Sequence, residues 1–143
     1  MNQSRSLCAE FGDTEMPLLL GIDLGTTKTT CIAVDSESGR VVASSAMPTG
    51  GNVTSDEGRR LGRSEWDAEA VLRSGIECLS KIATNSSVVE QQVCSIGVTG
   101  QQHGMVLVDS NKKPLTPLIN WQDQRGHESM PGSNLSWVDE TRS

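Results

Sequence analysis

The chain has 143 residues and a formal net charge of −6 at pH 7, with 35% hydrophobic but only 3% aromatic residues. This length permits one domain with a core, and the acidic balance disfavours nucleic acid or an anionic membrane as the main partner. The sequence shows no apolar run long enough to span a bilayer, and residues 1–17 lack the features of a secretion signal. We therefore expect a soluble, cytoplasmic protein.

The cysteines Cys8, Cys31, Cys78 and Cys94 follow no zinc-binding or redox spacing. Three of them fall in predicted strands or helix. We interpret all four as reduced core or surface thiols, as is usual in a cytosolic protein.

Residues 1–17 are polar and without pattern, which predicts a disordered extension, and Met16 is an alternative start. Two apolar runs follow, Leu18 to Leu24 and Thr29 to Val34, with the length and β-branched content of strands. The first run is apolar at nearly every position, which predicts a strand buried on both faces. The residues between the runs suit a tight hairpin, in which Gly25 is free to take a positive φ.

Asp23 and the turn that follows it carry the first chemical signal. A Gly-Thr-Thr turn offers backbone N–H groups and two hydroxyls, which form a small concavity suited to an anion. The Asp23 carboxylate could hold a hydrated cation beside it, so phosphate with Mg²⁺ is one interpretation. An ordinary hairpin with a capping aspartate has the same pattern, and the turn alone leaves both interpretations open.

Val41 to Met47 predicts a third strand that closes a meander. Residues 49–63 are rich in glycine, serine and charge and predict a loop, whose arginines we interpret as solvated rather than as a phosphate site. Ser64 has the spacing of a helix N-cap. Apolar residues then recur every three or four positions from Ala68 to Ala83, which predicts an amphipathic helix.

A fourth strand is predicted over Val93 to Thr99. Because parallel strands need a long connection, a strand after this helix is expected to run parallel to a neighbour. Three meander strands, a crossover helix and a further strand are the order in which a ribonuclease H-like half-domain begins. The predicted fold class is α/β, with a mixed sheet and an incomplete ribonuclease H-like (actin-like ATPase) half-domain.

Two groups of side chains in the second half of the chain suit a neutral ligand rich in hydroxyls. Gln102 and His103 follow the fourth strand, where ligands gather in open α/β sheets, and their amide and imidazole groups carry little charge. Trp121 offers an indole face to the apolar side of a sugar, and Asp123 offers a carboxylate to its hydroxyls. A single histidine or tryptophan is more often structural, but together these residues favour a polyol site.

Three segments together resemble the opening of the FGGY carbohydrate kinases, a family that includes xylulokinases, sedoheptulokinases, glycerol kinases and gluconokinases. The segments are Gly21-Ile-Asp-Leu-Gly-Thr-Thr27, Ile96-Gly-Val-Thr-Gly-Gln-Gln-His-Gly104 and Leu118-Ile-Asn-Trp-Gln-Asp-Gln-Arg125. Their order and separation are far more specific than any one segment, and the Gly-Gln-x-His-Gly form resembles the ketose kinases most. The resemblance covers residues 18–126 and leaves residues 127–143 as a polar tail that we expect to be flexible.

The resemblance implies ATP and Mg²⁺ as cofactors. Asp23 would hold Mg²⁺ or one of its water molecules. Thr26 and Thr27, together with the Lys28 amide, would contact the phosphates of ATP, and the Lys28 ammonium could also reach one. Such contacts supply the positioning and charge neutralisation that phosphoryl transfer mainly requires.

The resemblance also implies a sugar substrate, a ketose such as xylulose or sedoheptulose. Gln102 and His103 would bind its hydroxyls, and Trp121 with Asp123 would line the same pocket. In family members the aspartate that deprotonates the attacking hydroxyl lies further along the chain, and the adenine pocket lies in a second domain. Neither segment is present here, since Asp109 falls in a predicted turn and Asp139 in the tail.

Two hypotheses follow. The chain is either the amino-terminal segment of an ATP-dependent sugar kinase, inactive without its carboxyl-terminal portion, or a non-catalytic remnant or binding module of the same fold. Heat-shock chaperone ATPases share the Asp-x-Gly-Thr hairpin but lack the other two signatures, so they rank third.

Overall fold

The computed structural model describes residues 17–142. These residues form two compact units, the first made of residues 17–50 and 72–100 and the second of residues 51–71 and 101–142. Cys8, Met16 and, apart from Pro17, the predicted amino-terminal extension lie outside the described residues. The strands are β1 (Leu18–Leu24), β2 (Lys28–Asp35), β3 (Val41–Pro48), β4 (Glu65–Trp66), β5 (Val93–Gly100) and β6 (Leu118–Ile119). The helices are α1 (Asp56–Arg60), α2 (Ala68–Ala83), α3 (Trp137–Glu140) and a 3₁₀ turn at Arg125–His127.

The first unit contains a four-stranded sheet in the order β3-β2-β1-β5. β1 pairs with β2 and β2 pairs with β3 in antiparallel fashion, whereas β5 returns from α2 to lie parallel to β1. The predicted meander, crossover helix and parallel strand are thus confirmed. All four strands begin and end within one residue of the predicted bounds.

The core lies between this sheet and α2. Its buried members are Leu18, Ile22, Cys31, Ala33, Ala43, Cys78, Ile82 and Val88. Gly75 allows the helix to approach closely, because a Cβ there would stand 2.9 Å from Leu24 Cδ2. Burial first, and then the neighbouring Cys78 thiol, raises the pKa of Cys31 to about 12. Cys31, Cys78 and Cys94 are free thiols, in line with the prediction.

The prediction that β1 is buried on both faces is wrong. Leu18 and Ile22 are buried towards the core, but Leu19 is 37% exposed and Asp23 is also exposed. Successive side chains of a strand point to opposite faces, so α2 covers one face of β1. The other face is open among the described residues and carries Asp23.

The second unit contains a short antiparallel pair, β4 with β6, extended by isolated bridges such as Met105 with Ile119. Helix α1, whose N-cap is Ser55, lies within the predicted loop, so that part of the loop prediction is wrong. Its arginines make exposed pairs, Arg59 with Asp56 and Arg60 with Glu57.

Helix α2 does not begin at Ser64. That residue leads into β4, and its hydroxyl accepts a hydrogen bond from Trp66 Nε1 at 3.3 Å. Asp67 caps the helix instead, since its Oδ1 accepts from the N–H groups of Glu69 and Ala70. Both Ser64 and Asp67 are strong N-cap types, and the short strand between them decides which one is used.

The predicted polar tail contains helix α3, in which Ser136 and Asp139 form a reciprocal capping box. Glu128, at the start of the tail, accepts from Arg63 Nε at 2.7 Å and Nη2 at 2.8 Å. The prediction that Arg63 is simply solvated is therefore wrong. The flexibility of residues 127–143 stays a prediction.

Candidate functional site

Asp23 lies one residue before the end of β1, on the open face of the sheet. The register pairs it with Thr30 of β2 on one side and with Thr99 of β5 on the other. Directly paired residues point their side chains to the same face. The sheet thus presents a carboxylate flanked by two hydroxyls, an arrangement that strand register could have revealed but that the sequence analysis missed.

These three side chains and Lys28 line one surface cavity of about 580 Å³ in the first unit. Gly21 and Gly97, which pair with each other across β1 and β5, also line it, and neither carries a side chain to fill the space. The cavity therefore combines an apolar floor with one anion, one cation and two hydroxyls.

The donors in this cavity fit a hydrated Mg²⁺. Carboxylate and hydroxyl oxygens are hard ligands, and Mg²⁺ usually keeps several water molecules while it binds one or two carboxylates. No group of three or more acidic, histidine or cysteine side chains that could enclose a metal occurs within residues 17–142. An ion at Asp23 would therefore bind through one carboxylate and water.

In the turn between β1 and β2, Gly25 is needed for space and not for a left-handed backbone conformation. Gly25 is not among the glycines with positive φ, so that prediction is wrong. Glycine is required there because a Cβ would come within 2.6 Å of the Lys28 carbonyl oxygen. Thr27 and Lys28 are exposed, and Thr26 is half-buried.

Gln102, His103 and Trp121 belong to the second unit and flank one antiparallel bridge. Met105 and Ile119 exchange two backbone hydrogen bonds, both 2.8 Å long. His103 precedes Met105 by two residues and Trp121 follows Ile119 by two, so both leave this antiparallel bridge at the same end. Gln102 and His103 are exposed, and Trp121 is 57% exposed.

His103 has a φ of 56°, an uncommon conformation for a residue with a side chain. Backbone conformations of this kind cluster at functional sites, where the surrounding structure maintains them. No pattern in the sequence indicates this conformation.

Asp123 is placed differently from the other predicted site residues. Its side chain is only 3% exposed. Oδ1 accepts from the N–H and the Nε of Arg125, at 2.9 and 2.7 Å. Oδ2 accepts from Arg125 Nη2 at 2.8 Å and from the Ser64 N–H at 2.7 Å.

Arg125 joins this carboxylate to a second one, because its Nη2 also donates to Glu65 Oε1 at 2.7 Å. Burial alone would raise the pKa of Asp123, but the hydrogen bonds from Arg125 and Ser64 outweigh it and lower the value to about 2. The hydrogen bonds that Arg125 donates to Asp123 and then to Glu65 raise the pKa of Arg125 against the opposing effect of burial. No local pattern links Glu65 to Arg125, so the sequence did not predict the role of Glu65 in this group.

A model of the FGGY family of carbohydrate kinases, N-terminal domain, matches residues 18–136. The chain belongs to this family. Its relatives include a xylulose kinase of Streptomyces rubiginosus, 34% identical over 90% of this chain and 26% of the relative. An apulose kinase of Pectobacterium atrosepticum is 35% identical over 88% of this chain and 25% of its own length.

Solved structures agree with the family assignment. The xylulose kinase of Rhodospirillum rubrum superposes with a TM-score of 0.65 at 28% identity, covering 76% of this chain and 21% of that one. The Plasmodium falciparum glycerol kinase with ADP gives a TM-score of 0.64 at 22% identity, covering 78% of this chain and 21% of that one, which shows the fold alone. The predicted fold class is confirmed. The FGGY match extends ten residues beyond the predicted boundary at residue 126, and the chain spans about a quarter of the length of these two curated relatives.

For this FGGY chain, the roles of the individual side chains stay predictions. The structure brings Asp23 and Lys28 together around one cavity and places His103 and Trp121 at one end of a bridge. Asp109 and Asp139 are engaged in local structure: Asp109 Oδ1 accepts from the N–H groups of Asn111 and Lys113, and Asp139 Oδ2 accepts from Ser136.

Proposed function

We propose that this chain supplies the phosphate- and Mg²⁺-binding turn and part of the sugar-binding surface of an ATP-dependent ketose kinase. The observation that carries the proposal is the cavity at Asp23, where an exposed carboxylate, the Lys28 ammonium and two threonines meet beside the Gly-Thr-Thr turn. The names of the xylulose and apulose kinases among its relatives support a ketose as the substrate class.

Each residue has a defined part in this proposal. Asp23 holds Mg²⁺ through a carboxylate oxygen or a bound water, with Thr30 and Thr99 in reach of the other water molecules. The N–H groups and hydroxyls of the turn, with Lys28, bind the phosphates of ATP. When bound, Mg²⁺ supplies charge neutralisation on the phosphates, which is the main electrostatic requirement of phosphoryl transfer.

On the sugar side, Gln102 and His103 bind hydroxyls and Trp121 packs against the apolar face of the ring. We propose an indirect part for Asp123. Because the Asp123 oxygens accept from Arg125 and from the Ser64 N–H and its side chain is 3% exposed, it orders the segment that follows Trp121 rather than contacting sugar itself.

We further propose that the 143-residue chain does not turn over on its own and acts in the cytoplasm. The described carboxylates Asp109 and Asp139 serve a turn and a helix cap, so neither is placed to act as the general base for the sugar hydroxyl. None of the helices in that range has the length and apolar run needed to cross a membrane. A non-catalytic remnant or binding module of the same fold is the alternative.

Binding and catalysis are tested separately. In a coupled ADP-release assay with D-xylulose or D-sedoheptulose, the purified chain should show no turnover above a protein-free blank. Sustained turnover would contradict the proposal that the chain is inactive on its own. In a ¹⁵N-resolved NMR titration, MgATP should shift the amides of residues 23–28, and Asp23→Asn should weaken that response while Asp56→Asn, at an exposed carboxylate of α1, should not.

The sugar surface has its own matched pair. Trp121 and Trp137 are 57% and 52% exposed, so truncating either removes a similar exposed indole. Saturation-transfer NMR with D-xylulose should lose its signal in Trp121→Ala and keep it in Trp137→Ala. Equal loss in both variants would remove Trp121 from the proposed sugar surface.

A further inference from the structure

Three buried hydroxyl groups connect α2 with the turn between β1 and β2. Ser74 Oγ lies 2.9 Å from Thr29 Oγ1, and Thr29 Oγ1 lies 3.1 Å from Thr49 Oγ1. Thr49 Oγ1 in turn lies 2.7 Å from the carbonyl oxygen of Gly25. The three side chains belong to residues that are 6%, 0% and 3% exposed, respectively.

The direction of each hydrogen bond in this series of hydroxyls follows from the bond between Thr49 and the Gly25 carbonyl. A carbonyl oxygen only accepts, so the Thr49 hydroxyl must donate its single proton to Gly25. Thr29 must then donate to Thr49, and Ser74 must donate to Thr29. The series therefore runs from the helix to the turn.

Thr49 holds the turn at a second point, because its backbone N–H donates to the Thr27 carbonyl oxygen at 3.1 Å. A trans peptide is planar, and its N–H points opposite to its C=O. Fixing the carbonyl groups of Gly25 and Thr27 towards Thr49 therefore turns the N–H groups of Thr26 and Lys28 away from it. Those two N–H groups belong to the donors that the proposed function assigns to phosphate.

We propose that Thr49 is the positioning residue of the phosphate-binding turn and that Thr29 and Ser74 fix its hydroxyl. This inference rests on the proposed function, since it presumes that phosphate binds at the turn. Thr49 touches the backbone of the turn and not the ligand, so it acts through the orientation of two peptide planes. No sequence motif marked it, because Thr49 falls in a loop-like segment 21 to 24 residues away from the turn it supports.

The test uses Thr49→Val, which removes the hydroxyl and keeps the branched shape, in the 143-residue chain. MgATP is titrated against ¹⁵N-labelled protein, and the shifts of amides 25–28 are followed. Loss of one such hydrogen bond should raise the dissociation constant about five- to tenfold. Thr49→Ser restores the hydroxyl and should bind within about twofold of the wild type.

Thr54→Val is the matched control. Thr54 is 4% exposed, and its Oγ1 exchanges hydrogen bonds with the backbone of Glu65 at 3.2 and 2.8 Å. The Thr54→Val variant therefore loses a buried, hydrogen-bonded threonine hydroxyl like that of Thr49, but in the second unit. We expect it to lower the unfolding temperature as Thr49→Val does while leaving the MgATP titration unchanged.

The outcomes separate this inference from the proposed function. Weaker binding in Thr49→Val, rescued by serine and absent in Thr54→Val, supports the positioning role. Wild-type binding in Thr49→Val overturns that role and leaves the proposed function standing. If the wild-type chain shows no MgATP-dependent shifts at residues 23–28, the phosphate site fails, and the positioning role fails with it.

Discussion

The two regions that carry aspartates of the FGGY signatures use them in opposite ways. Asp23 stands exposed at the open face of the sheet, beside two threonines and a lysine around a cavity. The Asp123 side chain is buried; both its oxygens accept from Arg125, and Oδ2 also accepts from the Ser64 N–H. The first carboxylate is exposed to solvent, whereas the second is hydrogen-bonded within the protein.

The scaffolds around these aspartates also differ. The first unit is held by an apolar core between α2 and the sheet. The second has two-residue strands and is joined by side-chain hydrogen bonds and ion pairs, such as Arg125 with Glu65 and Arg63 with Glu128. The Asp123 carboxylate therefore has a structural task in the second unit, while the Asp23 carboxylate is exposed on the open face of the first.

Ile82→Ala should have the largest effect on stability. Ile82 is 1% exposed in the core of the first unit, and truncation of such a residue costs about 2–5 kcal/mol of unfolding free energy. Ile76→Ala removes the same atoms from a 55% exposed position on the same helix and should cost less than about 0.5 kcal/mol. Urea denaturation followed by circular dichroism measures both, and similar losses would show that α2 packs differently.

Asp123→Asn should have the next largest effect. It leaves Arg125 and the Ser64 N–H with weaker acceptors, and we expect a loss of about 1–3 kcal/mol. The matched variant is Asp56→Asn, which breaks an exposed pair with Arg59 and should cost at most about 0.5 kcal/mol. Equal midpoints for the two variants in thermal unfolding would contradict a structural role for Asp123.

The pH dependence gives a third measure of the same carboxylate. The pKa of Asp123 in the folded chain is about 2, below its ordinary value of 3.8. Its contribution is therefore fully present above about pH 4 and is lost as the pH falls towards 2, by roughly 2 kcal/mol in all. The difference in unfolding free energy between wild type and Asp123→Asn should shrink over that range, and a constant difference from pH 5 to 2 would refute the assignment.

Asp23→Asn should have the smallest effect on stability, less than about 0.5 kcal/mol, because Asp23 is exposed and lies on the open face. The same variant should nevertheless weaken the MgATP response at residues 23–28. A large loss of stability without a change in MgATP binding would reverse the contrast between the two aspartates.

The sequence predicted the sheet well because its signals are local. Apolar runs with β-branched residues located four strands, and the three- and four-residue spacing located α2. It failed where two local signals competed, as with Ser64 and Asp67, both good caps separated by a short strand whose partner, β6, lies about fifty residues further along the chain. It also failed on β1, since an apolar run does not reveal whether the described chain covers one face or two.

The candidate site divides in the same way. By itself, the sequence determined the family, the meander with its crossover, and the residues of the three signatures, because each is a short pattern of residue types. Only the tertiary structure decided which aspartate is available. Strand register placed Thr30 and Thr99 beside Asp23. Hydrogen bonds between residues about sixty positions apart join Asp123 to Ser64 and Glu65 to Arg125. Such partners are set by how distant segments pack, which no local pattern encodes.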